Sequence, residues 1–525
     1  MIVVGLGGLL KDAACAVLKD GELVAAIEQH KAAPRHVRGG LPLEAIRMAL
    51  ETAGVRAEDV ETVALARPLG EGHHARHMHL ELRREFPRAR VVSVDHHRAH
   101  AASAYYASPF EQATVVAVDN AGDFRCGSRW RAEGNDLRLE AELSFPDSLG
   151  DIYSRVTELL GFRPSMDEHK VQWMSASGEP RFAHVFREIL RREGAGFRAD
   201  QSWFDMDRRE AGGFGARFYE ALGLEDGAEI PEAMKADVAA SIQAAVEQMV
   251  MEFAGQGGNL CLAGGLGLNA LLVAALERSG RWANVFVQPA AGNSGTAIGA
   301  AYHAWHHTHG QARRQPMRTL CLGPEYPAEQ IKRVLENCKL RFRYLPTREE
   351  LLEAAVEQLS QDKIVAWMQG RMEFGPRALG NRSILASPLD PYSTENLNVY
   401  IKHREGFRKF AASVPEEAAP EYFEAGPNAR FLATVGRVRD KHRKTFEAAL
   451  LGPGWVRVHI VSREENPLFH SLLLAWGRKT GLPVLYNTSF NLFGDPLVCT
   501  PRDAVRSFYS SGIDAMVVGH FLLEK

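Results

Sequence analysis

Three strand-like runs, each leading into a glycine turn, constrain the fold of the first 310 residues more than any other feature. They are AVDNAGD at 117–123, CLAGGLGLN at 261–269 and VQPAAGNSG at 287–295. The last two continue into apolar sequence of helical type, so strands and helices alternate, which predicts an α/β fold. Glycines at such turns allow backbone N–H groups to approach a phosphate or nucleotide, although tight packing between a strand and a helix needs glycine equally.

The segment 91–123 combines two histidines with a carboxylate. His96 and His100 lie four residues apart in Ala-rich sequence of helical type, so they share one helix face. Asp119 ends an apolar strand and precedes a glycine turn. Two imidazoles and a carboxylate are common ligands of a divalent metal. From spacing alone, a structural histidine pair beside an ordinary turn explains the pattern equally well.

A second histidine cluster lies in EGHHARHMHLELRREF at 71–86, where His73 and His77 are also four residues apart. No strand-end carboxylate follows this cluster closely. We therefore interpret it as a solvated helix face and prefer the pair at His96 and His100 as the metal site.

The length of the chain and the distribution of helix-rich sequence along it predict more than one domain. A chain of 525 residues is too long for a single hydrophobic core. We expect one domain at 1–345 and another at 350–525, with the junction at 344–347, because helix-rich sequence restarts at Arg348. Residues 183–230 are polar and are expected to form an irregular excursion from the core.

Net charge and cysteine content limit the classes of binding partner and the cellular compartment that we expect for this protein. The formal net charge is −3, from 62 basic and 65 acidic residues, so general binding of nucleic acid is not expected. Six cysteines without a CxxC pair favour a reducing compartment. The N-terminus lacks the basic region of a signal peptide, and the most apolar stretch, 259–276, contains three glycines and an inner asparagine. We expect a cytoplasmic protein without a membrane partner.

The last third of the chain concentrates cations in loops. KIVAWMQGRMEFGPRALGNRSIL starts as a strand and becomes a loop with three arginines, namely Arg371, Arg377 and Arg382. IKHREGFRKF adds Lys402, Arg404 and Arg408, and NTSFN places Asn487 and Ser489 after an apolar strand. Guanidinium, amide and hydroxyl groups together suit a small dianion such as a phosphate ester. A solvated basic face is the alternative, but the interleaved glycine, proline and phenylalanine argue against a simple charge run.

The order of these motifs resembles one family. The three glycine units and a hairpin predicted around Lys19-Asp20-Gly21 resemble the duplicated sugar-kinase, actin and heat-shock chaperone fold, which binds ATP between two lobes. More narrowly, the chain resembles O-carbamoyltransferases of the nodulation-factor and tobramycin type across nearly its whole length. The matching motifs are DHHRAHAASAYY, VDNAGD, SLGDIYSRVTELLGF, AGGLGLN, VQPAAGNSG, EFGPRALGNRSILASP, KHREGFRKFAASVPEE, LPVLYNTSFN and GDPLVCTPRDA.

The resemblance implies a fold and a reaction. It implies a sugar-kinase-like and actin-like N-terminal domain followed by a YrdC-like α/β C-terminal domain. The C-terminal domain is expected to use carbamoyl phosphate and ATP, with Mg(II), to form carbamoyl adenylate. The N-terminal domain is then expected to transfer the carbamoyl group to a hydroxyl of a small molecule, in natural-product or glycan biosynthesis.

The resemblance also implies site residues. The metal, expected to be Fe(II), would be held by His96, His100, Asp119 and Asn293. Carbamoyl phosphate would be bound by Arg377, Lys402, Arg404, Arg408, Arg457, Asn487 and Ser489. The nucleotide would be contacted by Arg35, Lys170, Gly264, Gly265 and Asn269. The residues expected to act in catalysis are His96, His100, Asp119, Arg408 and Ser489.

Several motifs depart from the family pattern. The loop PAAGDxG has Asn293 in place of Asp, which removes a charge from the expected metal site. The motif KxMGLAxYG is KVQWMSASG here, the HD near the N-terminus is Lys11-Asp12, and ExER is EQHK. These changes suggest a divergent branch that uses an unusual acceptor, or a partial loss of activity.

Two other classes of function remain open from the sequence. A nucleotide-binding regulatory protein with weak catalysis would fit Asn293 and the altered glycine motifs. A tRNA threonylcarbamoyl-type enzyme uses related domains, but the charge balance and the order of the domains argue against it. Hydrogenase-maturation carbamoyltransferases also carry zinc-finger parts, and this chain has no CxxC pair.

Overall fold

The computed structural model of the protein describes residues 1–33, 38–69, 73–194, 196–205, 207–208, 210–312, 315–492 and 494–525, without the side chains of 73–76 and 393–394. It has a mixed α/β fold with two five-stranded sheets and one ten-stranded sheet. The α/β class predicted from the alternating strand and helix patterns is therefore confirmed.

The first sheet has the strand order β3-β2-β1-β4-β5. Its strands are β1 (Ile2–Gly7), β2 (Ala14–Lys19), β3 (Glu22–Glu28), β4 (Thr62–Ala66) and β5 (Arg90–Val94). The helices in this part are α1 (Gln29–Ala32), α2 (Leu43–Ala53), α3 (His73–Glu85) and α4 (His96–Tyr105). Strands β1 to β3 are antiparallel, with the predicted hairpin between β2 and β3, whereas β4 and β5 run parallel to β1.

The second sheet has the strand order β12-β11-β6-β7-β8, and a separate hairpin lies beside it. The strands are β6 (Gln112–Gly122), β7 (Arg125–Glu133), β8 (Asp136–Ser144), the hairpin β9 (Leu190–Glu193) and β10 (Gly196–Ala199), β11 (Gly257–Ala263) and β12 (Trp282–Val287). The helices are α5 (Leu149–Leu159), α6 (Glu168–Ser175), α7 (Ala183–Ile189), α8 (Ala216–Ala221), α9 (Glu232–Ala254), α10 (Ala270–Arg278) and α11 (Gly295–His303). Strands β6 to β8 are antiparallel, and β11 and β12 run parallel to β6.

The first two sheets are therefore a structural repeat, with the same strand order and the same strand directions. Helices α4 and α11 pack against each other between them, α11 against the first sheet and α4 against the second. The approach is close because the facing residues are small: a Cβ on Gly299 would lie 1.7 Å from the carbonyl oxygen of Ala99. This layer holds the start of α4 against the end of β6, where the candidate metal ligands lie.

The third sheet has ten strands in the order β13-β22-β21-β14-β15-β20-β16-β19-β18-β17. They are β13 (Arg343–Tyr344), β14 (Val365–Met368), β15 (Arg382–Ala386), β16 (Ala411–Pro415), β17 (Phe423–Glu424), β18 (Val435–Val438), β19 (Trp455–Val461), β20 (Leu485–Ser489), β21 (Ala515–Val518) and β22 (Phe521–Glu524). The helices are α12 (Ala328–Asn337), α13 (Arg348–Ser360), α14 (Ser393–Asn396), α15 (Ala419–Tyr422), α16 (Pro467–Thr480) and α17 (Pro501–Tyr509). Its two faces are covered by separate apolar clusters.

The packing of residues 320–335 indicates where the N-terminal sheets end and the C-terminal sheet begins. Leu320 and Leu322 belong to the apolar cluster of the first two sheets. Ile331 and Leu335 of α12 pack in the core of the third sheet, and β13 pairs with β22. This packing favours a change of unit between 322 and 331, before the predicted junction at 344–347. The boundary itself stays a prediction.

Residues 183–230 are more ordered than their polar composition predicts. The described part of this segment contains α7, the β9–β10 hairpin and α8. Most of its aromatic side chains are buried over the second sheet, among them Phe186, Phe214 and Phe218. Across the described residues, none of the helices combines the length and apolar character needed to cross a membrane.

Candidate functional site

The candidate metal ligands meet at the start of α4 and the end of β6. Asp95 caps α4, because its side chain accepts a hydrogen bond from the N–H of Arg98 at 2.9 Å. His96 and His100 are one turn apart, and their Nε2 atoms are separated by 3.2 Å. Asp119 Oδ2 lies 3.0 Å from His96 Nε2 and 3.3 Å from His100 Nε2. The histidine pair and the strand-end carboxylate predicted from the sequence are thus brought together in a buried cluster.

Neighbouring backbone groups orient these side chains. His96 Nδ1 lies 3.0 Å from the carbonyl oxygen of Arg67. In the neutral ring, donation to this carbonyl leaves the lone pair on Nε2, the nitrogen that faces the cluster and would bind a metal. Asp119 Oδ1 accepts hydrogen bonds from the N–H groups of Asn120 and Gly265 at 2.9 and 3.2 Å, which leaves Oδ2 directed at the imidazoles.

Burial and proximity alter the acidities of this cluster. Burial raises the pKa of Asp119, but the hydrogen bonds from His100 and His96 outweigh it, so the pKa lies well below its ordinary value. For His96, burial lowers the pKa, and the bond and charge of Asp119 bring it above the ordinary value. For His100, burial dominates and the pKa is lowered. An anionic oxygen facing two imidazole nitrogens fits a divalent metal such as Zn²⁺ or Fe²⁺.

Two neighbours of the cluster are structural. His97 points away from it, toward Ser128 Oγ at 2.9 Å and the carbonyl oxygen of Arg125 at 3.0 Å. Gly122 packs directly on the ring of His96, and a Cβ there would lie only 2.0 Å from Cδ2 of that ring. Glycine is therefore required at this position for the observed orientation of His96.

The cluster of His96, His100 and Asp119 borders a cavity of about 1080 Å³ that continues to the arginine-rich end of the C-terminal sheet. His96, Asp119 and Asn293 line one part of the cavity wall. Six predicted phosphate-binding residues line another part, namely Arg377, Arg404, Arg408, Arg457, Asn487 and Ser489. The two groups of candidate site residues, which lie up to 393 residues apart from His96 to Ser489, therefore share one cavity.

The arginine end is rich in uncompensated positive charge. Among the described residues, no carboxylate forms an ion pair with Arg377, Arg404 or Arg457, and the nearest carboxylate oxygen to Arg408 is that of Glu405 at 3.7 Å. Burial lowers the pKa of Arg377 to about 10 and, together with Arg408, that of Arg404 to about 9. Burial, followed by repulsion from the other arginines, lowers the pKa of Arg457 well below its ordinary value. A bound dianion would relieve this repulsion.

Asn487 and Ser489 lie on β20 beside these arginines. The amide nitrogen of Asn487 donates to the carbonyl oxygen of Ala378 at 3.2 Å and to Ser413 Oγ at 3.1 Å. Asn487 Oδ1 is buried and has no hydrogen-bond partner among the described residues. Ser489 Oγ donates to Asn491 Oδ1 at 2.6 Å. This amide oxygen is therefore an unused hydrogen-bond acceptor within the described part of the chain.

Two predicted ligands lie outside the cavity wall. Lys402 Nζ donates to the carbonyl oxygen of Ser489 at 2.5 Å and to two oxygens of Asn491 at 2.7 and 2.8 Å. Lys402 thus secures the end of β20 from behind. Lys170, predicted to contact the nucleotide, pairs with Glu405 at 2.8 Å and with Asp167 at 3.5 Å.

The remaining predicted residues divide as follows. Gly265 and Asn269 line the cavity, and Gly264 adopts φ = +85°, with a Cβ there only 2.3 Å from the carbonyl oxygen of Val118. Asn269 caps α10 by accepting from the N–H of Leu272 at 3.0 Å. Arg35 lies outside the described residues. In the other histidine cluster, His77 is exposed, and the side chain of His73 is not described.

The sequence reasoning missed the contribution of helix α6 to the arginine end. His169 and Gln172 line the cavity, and the indole of Trp173 lies beneath the guanidinium of Arg457, at 5.0 Å from the ring centroid. Burial, followed by repulsion from Arg408 and Arg377, lowers the pKa of His169 to about 4, so this imidazole is neutral near pH 7. In the sequence, helix α6 was connected with a binding site only through Lys170, which precedes the Ser/Gly turn.

Family models built from known proteins match both parts of the chain. A family model described as "Carbamoyltransferase N-terminus" matches residues 71–302, and one described as "Carbamoyltransferase C-terminus" matches residues 356–525. Nodulation protein NolO of Bradyrhizobium diazoefficiens is 34% identical over 82% of this chain and 79% of its own length. Nodulation protein NolNO of Sinorhizobium fredii is 31% identical over 98% of this chain and 79% of its own length.

This chain belongs to the carbamoyltransferase family. The family and the enzyme type predicted from the motifs are therefore confirmed. Another relative, the 3'-hydroxymethylcephem-O-carbamoyltransferase of Amycolatopsis lactamdurans, is 32% identical over 50% of this carbamoyltransferase and 48% of its own length. Among solved structures, HypF of T. kodakarensis aligns with 59% of this chain and 48% of its own, at 15% identity and a TM-score of 0.34.

Proposed function

We propose that this carbamoyltransferase is an ATP-dependent O-carbamoyltransferase that acts on a hydroxyl group of a small molecule in natural-product or glycan biosynthesis. Carbamoyl phosphate and water give carbamate and phosphate. A carbamate oxygen then attacks the α-phosphorus of ATP, and pyrophosphate leaves as carbamoyl adenylate forms. Finally the acceptor oxygen attacks the carbamoyl carbon, AMP leaves with the electron pair of the broken C–O bond, and the hydroxyl proton is released.

The observation that carries this proposal is the shared cavity, with cations along one part of its wall and His96, Asp119 and Asn293 along another. Two consecutive reactions need an anion-binding region and a transfer region between which a reactive intermediate can pass. A volume of about 1080 Å³ is sufficient for a nucleotide together with a small acceptor.

The donor region has the groups that carbamoyl phosphate requires. Arg404, Arg408 and Arg457 supply N–H groups for phosphate oxygens, and the planar guanidinium fork matches their spacing. Asn487 Oδ1, which is unpartnered among the described residues, accepts from the carbamoyl NH₂ group. This combination distinguishes carbamoyl phosphate from inorganic phosphate, which carries no N–H donor.

The transfer region is assigned to the cluster of His96, His100 and Asp119. These three residues would hold one divalent metal, proposed to be Fe(II), with Asn293 as a neutral fourth ligand. When bound, such a metal supplies Lewis-acid polarisation of the carbamoyl oxygen. Arg67 and Gly265 fix the orientation of two of the ligands through their backbone groups.

The nucleotide is placed by this proposal near the glycine turn after β11. Gly265 allows close approach of the adenylate phosphate to the backbone, and Asn269 borders the same wall. Gly264, with φ = +85°, shapes the turn that places Gly265 there. ATP would enter as its Mg(II) complex. The proposal also assigns a sugar-kinase-like and actin-like fold to the repeated N-terminal sheets and a YrdC-like fold to the C-terminal sheet.

The test separates the two reactions. Wild-type protein should release pyrophosphate when both ATP and carbamoyl phosphate are supplied, and the variant Arg408→Ala should lose this release. With preformed carbamoyl adenylate and a genuine acceptor, Arg408→Ala should still carry out transfer. Arg437→Ala, which removes an exposed arginine of β18, is the matched control and should behave as wild type. Absence of pyrophosphate release by the wild type would contradict the proposed adenylation.

A further inference from the structure

Helix α6 belongs to the N-terminal part of the chain, between β8 and β9, yet it forms part of the wall of the arginine region. Two of its side chains reach C-terminal residues there: Lys170 Nζ lies 2.8 Å from Glu405 Oε1, and Trp173 underlies Arg457. These contacts link residues that are more than 230 positions apart, and neither Lys170 nor Trp173 lines the cavity. They act on the arginine region from behind.

Glu405 is a problem for an anion site, because its carboxylate competes with phosphate for the same arginine. Its Oε2 atom lies 3.7 Å from Arg408 Nη1 and has no hydrogen bond within the described part of the chain. Its Oε1 atom is held by Lys170 at the shorter distance of 2.8 Å. The lysine therefore draws the carboxylate away from Arg408 and compensates its charge, which leaves the guanidinium available for a ligand.

Trp173 supports Arg457 in a way that leaves the N–H groups of its guanidinium unoccupied. A carboxylate would orient this arginine but would also occupy its N–H groups. An indole face attracts the cation without accepting hydrogen bonds at the guanidinium edge. Trp173 is 4% exposed and is itself fixed by packing against Ala270, Ala274 and Leu451, so its ring is a rigid support.

We infer that Lys170 and Trp173 are positioning residues of the donor site, which keep Arg408 and Arg457 free for the phosphate of carbamoyl phosphate. This inference rests on the proposed function and adds a role that the sequence did not assign: Lys170 serves the donor phosphate through Glu405 and is not a nucleotide ligand. It follows that the donor site is complete only when the N-terminal part of the chain is present.

The decisive experiment is a pair of single variants and their combination in the full-length chain. Binding of carbamoyl phosphate and of inorganic phosphate is measured by titration calorimetry, and the Michaelis constant for carbamoyl phosphate is measured from pyrophosphate release. Lys170→Met frees Glu405 to pair with Arg408 and should weaken binding about tenfold. Glu405→Gln should bind at least as tightly as wild type. The double variant should return to within about threefold of wild type, because no carboxylate remains to capture Arg408.

A purely structural role for Lys170 would not be repaired by a second substitution. If the double variant binds carbamoyl phosphate as weakly as Lys170→Met, Glu405 is not the competitor and the inference is wrong. Transfer from preformed carbamoyl adenylate should be unchanged in all three variants, and a loss there would also overturn the inference. A wild type that binds neither anion would overturn the proposed donor site itself, and this inference with it.

The role of Trp173 is tested with a matched pair of variants at this position. Trp173→Phe keeps an aromatic face and should bind carbamoyl phosphate within about threefold of wild type, whereas Trp173→Leu should bind about tenfold more weakly. Both variants reduce the buried volume, so a difference between them at equal thermal stability reports the aromatic face. Equal affinities of the two variants would refute the role assigned to Trp173.

Discussion

Gly122→Ala is a direct test of the candidate metal cluster, because the structure shows which atoms the added methyl group would contact. The new Cβ would lie 2.0 Å from His96 Cδ2 and 2.5 Å from His96 Nε2, and its three nearest neighbours are all atoms of this ring. Ordinary carbon contacts are about 3.5–4.0 Å, so the ring has to move by about 1.5 Å. Metal–nitrogen bonds tolerate only about 0.2 Å, so His96 would no longer be a ligand.

We expect Gly122→Ala to lower divalent-metal affinity by at least tenfold, the scale found when the groups that orient a ligand are lost. The assay is elemental analysis after loading with Fe(II) and dialysis, supported by competition with a coloured chelator. Gly258→Ala is the control: it also lies in a strand, has no positive φ, and its added Cβ would meet nothing within 4 Å. Wild-type metal affinity in Gly122→Ala, with the fold intact by circular dichroism, would refute the placement of His96 as a ligand.

Three further predictions concern the metal and the boundary between the units. Asn293→Asp should tighten metal binding in chelator competition, because a charged carboxylate replaces a neutral amide; unchanged affinity would exclude this position from the site. His100→Ala should lose bound metal in elemental analysis, whereas His77→Ala should not, and the opposite result would mean that the other histidine cluster is the metal site. Limited proteolysis should cut first between 322 and 331, where the packing changes from the N-terminal sheets to the C-terminal sheet; cuts confined to 91–123 would contradict this boundary.

Local sequence patterns predicted that His96, His100 and Asp119 lie together, because the geometry of this cluster is mostly local. Helical spacing places His96 and His100 on one face, and a strand followed by a glycine turn places Asp119 at a sheet edge. The hairpin of β2 and β3 was predictable for the same reason. The approach of Asp119 to the histidines depends on the packing of α4 against β6, which the pattern of small residues only suggests.

The sequence indicated which residues belong to the arginine region, but it did not indicate which contacts they make. Positive charge and family resemblance singled out Lys402 with the arginines, yet nothing in the sequence indicates that Lys402 bonds to Ser489 and Asn491 behind the strand. The contacts of α6 with Glu405 and Arg457 are long-range, and no local propensity encodes them. Residues 183–230 show the same limit, because a few buried aromatic residues order a segment whose average composition is polar.

The loop that carries Arg377 is held by a network that spans the chain. Buried Glu373 accepts three backbone hydrogen bonds through Oε1, from Leu379, Asn381 and Arg382, at 2.7 to 3.1 Å. Lys31 donates to the carbonyl oxygens of Glu373 and Gly375, across 342 and 344 positions of sequence.

This span matters during synthesis on the ribosome. At about 5–20 residues per second, Glu373 is made about 20 to 70 s after Lys31. The first sheet and α1 are therefore synthesised well before the loop that Lys31 binds. In the folded chain Lys31 also pairs with Glu28 at 2.5 Å, and both side chains are buried. A ribosome stalled before Gly375 would therefore display an N-terminal part in which Lys31 lacks its acceptor on Gly375.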